Sequence, residues 1–125
     1  MIFGAGVDIL DLKRIEGVLS EGDPFVRKTF TETERKTAPE SDAARREYFA
    51  TRFAAKEAVF KSLKADSNAA RLSDIEIATG DNGEPVCTLK GELKKCAESN
   101  GIVSVELSIS KEDKYVIAFA VSTSR

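Results

Sequence analysis

The run SDAARREYFATRFAAKEAVFKSL, residues 41–63, reads as one long helix opened by Ser41 or Asp42 and closed at about Leu63. Ala44, Tyr48, Phe49, Phe53, Ala55, Val59, Phe60 and Leu63 recur at helical spacing and form its apolar set. Steps of three and four place Ala50, Ala54, Glu57 and Lys61 on another stripe. Small alanines there let a ligand or a neighbouring strand come close, and Glu57 becomes a carboxylate on a rigid element. Residues 41–64 carry six basic groups (Arg45, Arg46, Arg52, Lys56, Lys61, Lys64) and three acidic (Asp42, Glu47, Glu57), a surplus of three positive charges. On a solvated face, a Glu–Lys pair one turn apart contributes only about 0.2–0.5 kcal/mol.

Outward from this helix the signals are short. Thr31 followed by Glu34 is a capping box that starts a short helix, and Pro39 stops it. Asp11 caps another short helix, expected to reach about Leu19, with Leu12, Ile15 and Leu19 on one side. Residues 2–8 alternate as a first strand, with Phe3, Ala5 and Val7 on one face and Ile2, Gly4, Gly6 and Asp8 on the other. Downstream, Ala65–Arg71 reads as a loop, 72–79 as a strand, Asp81-Asn82-Gly83 as a turn and 85–89 as the returning strand. Glu92–Ser99 is a short helix ended by Asn100-Gly101. Residues 103–110 and 115–122 form a terminal hairpin around Glu112-Asp113. The expected class is α+β, a single domain over residues 1–125 with an antiparallel sheet packed against one long and several short helices.

Composition excludes several functions. The 125 residues include 19 basic and 21 acidic ones, net −2, so there is no overall basic field for nucleic acid. Histidine is absent, which removes imidazole metal sites and histidine-dependent triads. Cys87 and Cys96 are too few for a disulfide scaffold or a four-cysteine zinc site and read as packing or surface residues. The seven-residue apolar run Tyr115–Val121 is about a third of a membrane span. The expected location is cytoplasmic, with no membrane partner.

Asp8 closes an apolar strand beside Gly4 and Gly6, whose missing side chains are expected to leave open space for a metal or ligand. As a helix cap it is less well placed than Asp11. Asp8 and Glu57, with several cations and no histidine or thiolate cluster, describe a hard-cation site for a phosphate ligand. Mg2+ takes one or two carboxylates, water and phosphate oxygens. Spacing alone does not bring the two side chains together.

At these residues the sequence resembles the holo-acyl-carrier-protein synthases, the small trimeric class of 4'-phosphopantetheinyl transferases. The resemblance rests on Gly6-Val7-Asp8-Ile9 with Arg14-Ile15, and on Arg52-Phe53-Ala54-Ala55-Lys56-Glu57-Ala58 with Lys61. Phe30-Thr31 with Glu34, Asp74-Ile75-Glu76-Ile77, Asn82-Gly83-Glu84-Pro85 and Leu107-Ser108-Ile109-Ser110 follow in the family's order. It implies transfer of phosphopantetheine from coenzyme A to a serine of apo acyl carrier protein, releasing adenosine 3',5'-bisphosphate. It also implies that Asp8 and Glu57 hold Mg2+, and that Glu57 helps to deprotonate the serine. Lys61 is implied to bind phosphate near the reaction centre. Arg52 and Lys56 match basic positions for phosphate or carrier contacts, and a solvated charge is the other reading of Lys56. Arg14 matches a position facing the carrier protein. A homotrimer with coenzyme A between adjacent subunits is implied too, with strands 103–122 as contact material.

Two features depart from the family. Ser62 to Asn68 contains no glycine where glycines are usual, Asp66 adds a negative charge there, and Asn68 is a partial substitute because it tolerates left-handed geometry. Lys111 stands where the family usually has histidine; it can still contact phosphate as a point charge. These departures carry the alternative reading, a weak homologue that binds carrier protein or coenzyme A without efficient transfer.

Overall fold

A computed structural model describes residues 1–15, 17, 22–66 and 71–125. The first strand, β1, runs Ile2–Asp11 and passes into a 3-10 turn, Leu12–Ile15. Three helices follow: α1 (Pro24–Thr29), α2 (Glu32–Thr37) and the long α3 (Asp42–Leu63). A second 3-10 turn, Leu72–Asp74, leads to the hairpin β2 (Ile75–Thr79) and β3 (Pro85–Leu89). Helix α4 (Gly91–Ser99) and the strands β4 (Ile102–Lys111) and β5 (Tyr115–Ser124) complete the order. The antiparallel sheet has the strand order β1-β5-β4, and β2-β3 form a separate pair. The α+β class expected from sequence is what is found.

The inner face of the sheet is set by register. Leu10 faces Val116, Asp8 faces Ala118, Gly6 faces Ala120 and Gly4 faces Ser122. These small residues form a shallow floor, and α3 lies on it with Ala50, Ala54, Ala55, Ala58, Val59 and Leu63 buried. Phe49 and Phe30 pack at 4.7 Å between ring centres and close the core above α1 and α2. Ala44, expected in the apolar set, is exposed because the helix overhangs the core at its first turn.

Gly4 and Gly6 do not leave open space. A Cβ on Gly4 would overlap the carbonyl oxygen of Ser62, and one on Gly6 that of Ala58. The glycines admit the backbone of α3, not a ligand.

Several boundaries move for local reasons. β1 extends three residues past Asp8 because Ile9, Leu10 and Asp11 pair with Ile117, Val116 and Tyr115. Asp11 Oδ1 accepts from Lys13 N (2.9 Å), as a cap should, but what it caps is one 3-10 turn; Leu19 lies outside the described residues. Helix α1 is an addition to the elements expected from sequence: Asp23 accepts from Phe25 N (2.8 Å) and Pro24 stands at the first helical position, a common start. Leu72–Asp74 is a 3-10 turn and not strand, because Asp74 anchors α4: its carbonyl accepts from Lys90 N (2.7 Å) and its carboxylate from Leu93 N (3.4 Å). The capping box at Thr31 and Glu34 is present in both halves.

Past α3 the chain turns without glycine. Lys64 itself adopts the left-handed conformation (φ 56°, ψ 33°), where glycine is the residue without a steric penalty. Ser67 and Asn68 lie outside the described residues. No helix among the described residues is long and apolar enough to cross a membrane.

Candidate active site

Asp8 points from β1 toward α3, its side chain 18% exposed. Because the glycines bring the helix down onto the strand, Lys61 reaches across it. Its Nζ donates to Val7 O (2.9 Å) and lies 3.4 Å from Asp8 Oδ1. Glu57 stands one turn before Lys61 on the same stripe and is half-buried. Its carboxyl is held above the ordinary glutamate range, first by burial and then by the negative charge of Asp8; Lys61 and Arg14 pull it back. Asp8, Glu57 and Lys61 therefore meet at the seam of β1 and α3, with the charge of Arg14 felt from the neighbouring 3-10 turn, a convergence that spacing left open.

The carboxylate pair fits a hard divalent cation. Like charges in a partly desolvated place repel, and a cation relieves both burdens. Among the described residues no group of three or more metal-ligating side chains occurs, so other ligands would come from water and phosphate.

The remaining candidates lie elsewhere. Arg14, on the first 3-10 turn, borders a small pocket of about 80 Å3 with Leu10, Ile15, Phe25 and Phe53. Arg52 belongs to a different stripe of α3. Its Nη2 donates to Thr79 Oγ1 (2.8 Å), its Nη1 to Thr51 Oγ1 (3.2 Å), and its guanidinium lies 4.1 Å from the Tyr48 ring centre. It helps to line a cleft of about 420 Å3 with Thr33, Thr37, Tyr48, Glu76 and Thr79. Its Nε is buried without a hydrogen-bond partner. Lys111, at the end of β4, pairs with Glu47 Oε1 at 3.0 Å.

Lys56 corrects both readings made of it from sequence. It is neither a phosphate contact nor a solvated charge; its side chain is fully buried and its Nζ sits 2.7 Å from Glu34 Oε1. The same ammonium donates to Leu72 O (3.1 Å) and to Ile75 O. Burial holds it below the usual lysine range, against the opposing pull of Glu34. A capping box announced Glu34 as a helix start, and nothing in that motif signals its second role as partner to a buried lysine. Cys87 is free and half-buried, its thiol pushed up to about 12 by burial, so it stays protonated and inert.

The profile of the 4'-phosphopantetheinyl transferase superfamily matches residues 4–120. A holo-[acyl-carrier-protein] synthase of Desulforudis audaxviator is 40% identical over 123 residues, covering 98% of this chain and 93% of its own. The crystal structure of the Plasmodium yoelii holo-ACP-synthase superposes with a TM-score of 0.87 at 33% identity, covering 100% of this chain and 97% of that one. A Bacillus anthracis holo-(acyl-carrier-protein) synthase in complex with CoA (3',5'-ADP) superposes with a TM-score of 0.80 at 33% identity, covering 100% and 99%.

Proposed function

The chain belongs to the 4'-phosphopantetheinyl transferase superfamily, and on that premise we propose that it moves phosphopantetheine from coenzyme A to a serine of apo acyl carrier protein, with Mg2+, releasing adenosine 3',5'-bisphosphate. One observation carries the reading: Asp8, Glu57 and Lys61 share one seam, where Lys61 Nζ lies 3.4 Å from Asp8 Oδ1 and the half-buried Glu57 feels both charges.

Each group then has a task. Glu57, its carboxyl raised into a range nearer neutrality, accepts the proton of the attacking serine hydroxyl directly or through water. Lys61 offers a half-exposed ammonium for the phosphoryl oxygens that gain charge. Asp8 and Glu57 would hold the cation, which when bound draws charge off the pyrophosphate and its leaving phosphate. Arg14 faces the carrier at the rim. Arg52 and Lys111 are the contacts for the nucleotide end of coenzyme A.

In one chain Arg52 and Lys61 occupy different stripes of α3, which supports a site completed by a second subunit. The outer face of the sheet supports a homotrimer: Val7, Ile9, Ile117 and Phe119 are 55%, 60%, 41% and 47% exposed on adjoining strands. Such a contiguous apolar face marks a contact surface.

Intact-protein mass spectrometry of an apo carrier protein, incubated with this protein, coenzyme A and Mg2+, tests the reaction. A gain of one phosphopantetheine arm that a chelator abolishes is expected. Asp8→Ala and Glu57→Ala should remove it in folded protein; full activity in either would reject the metal assignment. No transfer to any of several carriers would favour the binding-only homologue.

A further inference from the structure

What holds the Arg52 guanidinium leads back along two routes to one residue, Glu34. Thr79, which accepts from Arg52 Nη2, ends β2, and within β2 Ile77 N donates to Glu34 Oε2 (2.8 Å). Tyr48, over which Arg52 lies, donates its hydroxyl to Glu34 O (2.7 Å). The contacts close a ring: Glu34, Tyr48, Arg52, Thr79, Ile77 and Glu34 again. Lys56 stands one turn after Arg52 and carries the counter-charge, its side chain 0% exposed and that of Glu34 1%. Its other bonds, to Leu72 O and Ile75 O, fasten the start of β2 to the same helix.

Stability alone does not explain a buried ion pair here. Desolvating two charges offsets most of their attraction, and an apolar pair of similar volume often serves as well. The pair does supply register. The alanine face of α3 lies on the β1-β5-β4 sheet, and the helix touches β2 far less, so few apolar contacts set its position against the β2-β3 hairpin. A charge pair with further directional bonds has one satisfied arrangement. In that arrangement Arg52 borders the cleft with its Nε still unbonded.

We propose that the Lys56–Glu34 pair is a positioning device that fixes Arg52, through Tyr48 and the β2 strand, for a phosphate-bearing ligand. The inference rests on the transferase reading, in which that ligand is coenzyme A. Lys56 is fully buried, and Glu34 borders the cleft with its carboxylate already taken by Lys56 Nζ and Ile77 N, so neither charge is offered to the ligand.

Calorimetric titration with coenzyme A, alongside steady-state kinetics, tests this on the wild type, Lys56→Met and Tyr48→Phe. Tyr48→Phe keeps the ring over Arg52 and removes only the hydroxyl, with its bonds to Glu34 O and Thr37 Oγ1, so it serves if Lys56→Met fails to fold. Both variants should weaken coenzyme A binding and raise its KM about tenfold, the scale of one charge-assisted hydrogen bond, while kcat at saturation is kept. A merely structural pair would lower Tm and leave Kd and KM alone; unchanged values in Tyr48→Phe and in folded Lys56→Met overturn the proposal. Wild-type protein that neither binds nor turns over coenzyme A overturns the transferase reading first, and this inference with it.

Discussion

Gly6 lies directly beneath the carbonyl of Ala58, so close that a Cβ on the glycine would overlap the oxygen and stand 2.8 Å from Lys61 Cβ. This contact sets the height of α3 above β1, and with it the reach of Lys61 to Asp8. Gly6→Ala should push the helix off the strand and lower stability by about 1–3 kcal/mol, the usual cost of overpacking. Transfer activity should fall further than stability, because the seam opens where Asp8 and Lys61 meet. Urea unfolding and turnover measured on the same preparation check this; wild-type values in both would show that the helix does not rest on Gly6.

The turn after α3 gives a second expectation. Lys64 occupies left-handed space, and its ammonium lies 5.0 Å from the Phe3 ring centre. Glycine tolerates that backbone and a β-branched residue does not. Stability should follow the order Gly, Lys, Val at position 64, with Lys64→Val about 1 kcal/mol below wild type. Thermal melts that rank valine with lysine would contradict the observed φ.

Glu57 makes the protein's stability depend on pH in a definite direction. Its native carboxyl titrates above the unfolded one, because burial and Asp8 disfavour the charge. Below the unfolded pKa the group imposes no penalty; as pH rises through the native value, stability is lost. In chelator, Glu57→Gln should therefore gain on wild type in Tm as pH goes from about 4 to 7, and added Mg2+ should remove the difference. A gap that narrows with rising pH would reverse the assignment. Turnover should run the other way, rising as Glu57 loses its proton.

Lys111 and Glu47 are each about half exposed (44% and 47%), so their pair adds little to stability, on the order of 0–1 kcal/mol. Lys111→Ala should leave Tm nearly unchanged and raise the KM for coenzyme A. If Tm falls by many degrees and KM does not move, the lysine is a strut and not a ligand contact.

Local motifs carried much of this molecule. The long helix, the capping box at Thr31 and the 85–89 strand follow from periodicity and turn chemistry. Alternation also places Asp8 on the face of Gly4 and Gly6, but does not say that this face is the inner one, with Ala5 and Val7 exposed on the other. What sequence left open was contact between distant segments. Nothing local says that Glu34 meets Lys56, since one belongs to a capping motif and the other to a basic helix face. The glycines misled for a related reason: a missing side chain marks close approach, and only the fold tells whether a ligand or a helix approaches. Asp74 reads as a strand residue until Gly91 and Leu93 bring α4 to it.

The pairing of β1 with β5, Ile2 opposite Thr123, also governs when the molecule can form. Strand β1, once made, has to wait for β5, which follows it only after all the other helices and strands described. At roughly 5–20 residues per second on a ribosome that wait is on the order of 5–25 seconds. Contacts so remote in sequence slow folding, since the intervening chain must be ordered before they gain anything. Until β5 arrives, α3 has no sheet centre to lie on, and Asp8 lacks the Ala118 neighbour that fixes its register. A nascent chain cut short before residue 115 therefore carries every acidic and basic group of the seam and cannot assemble them.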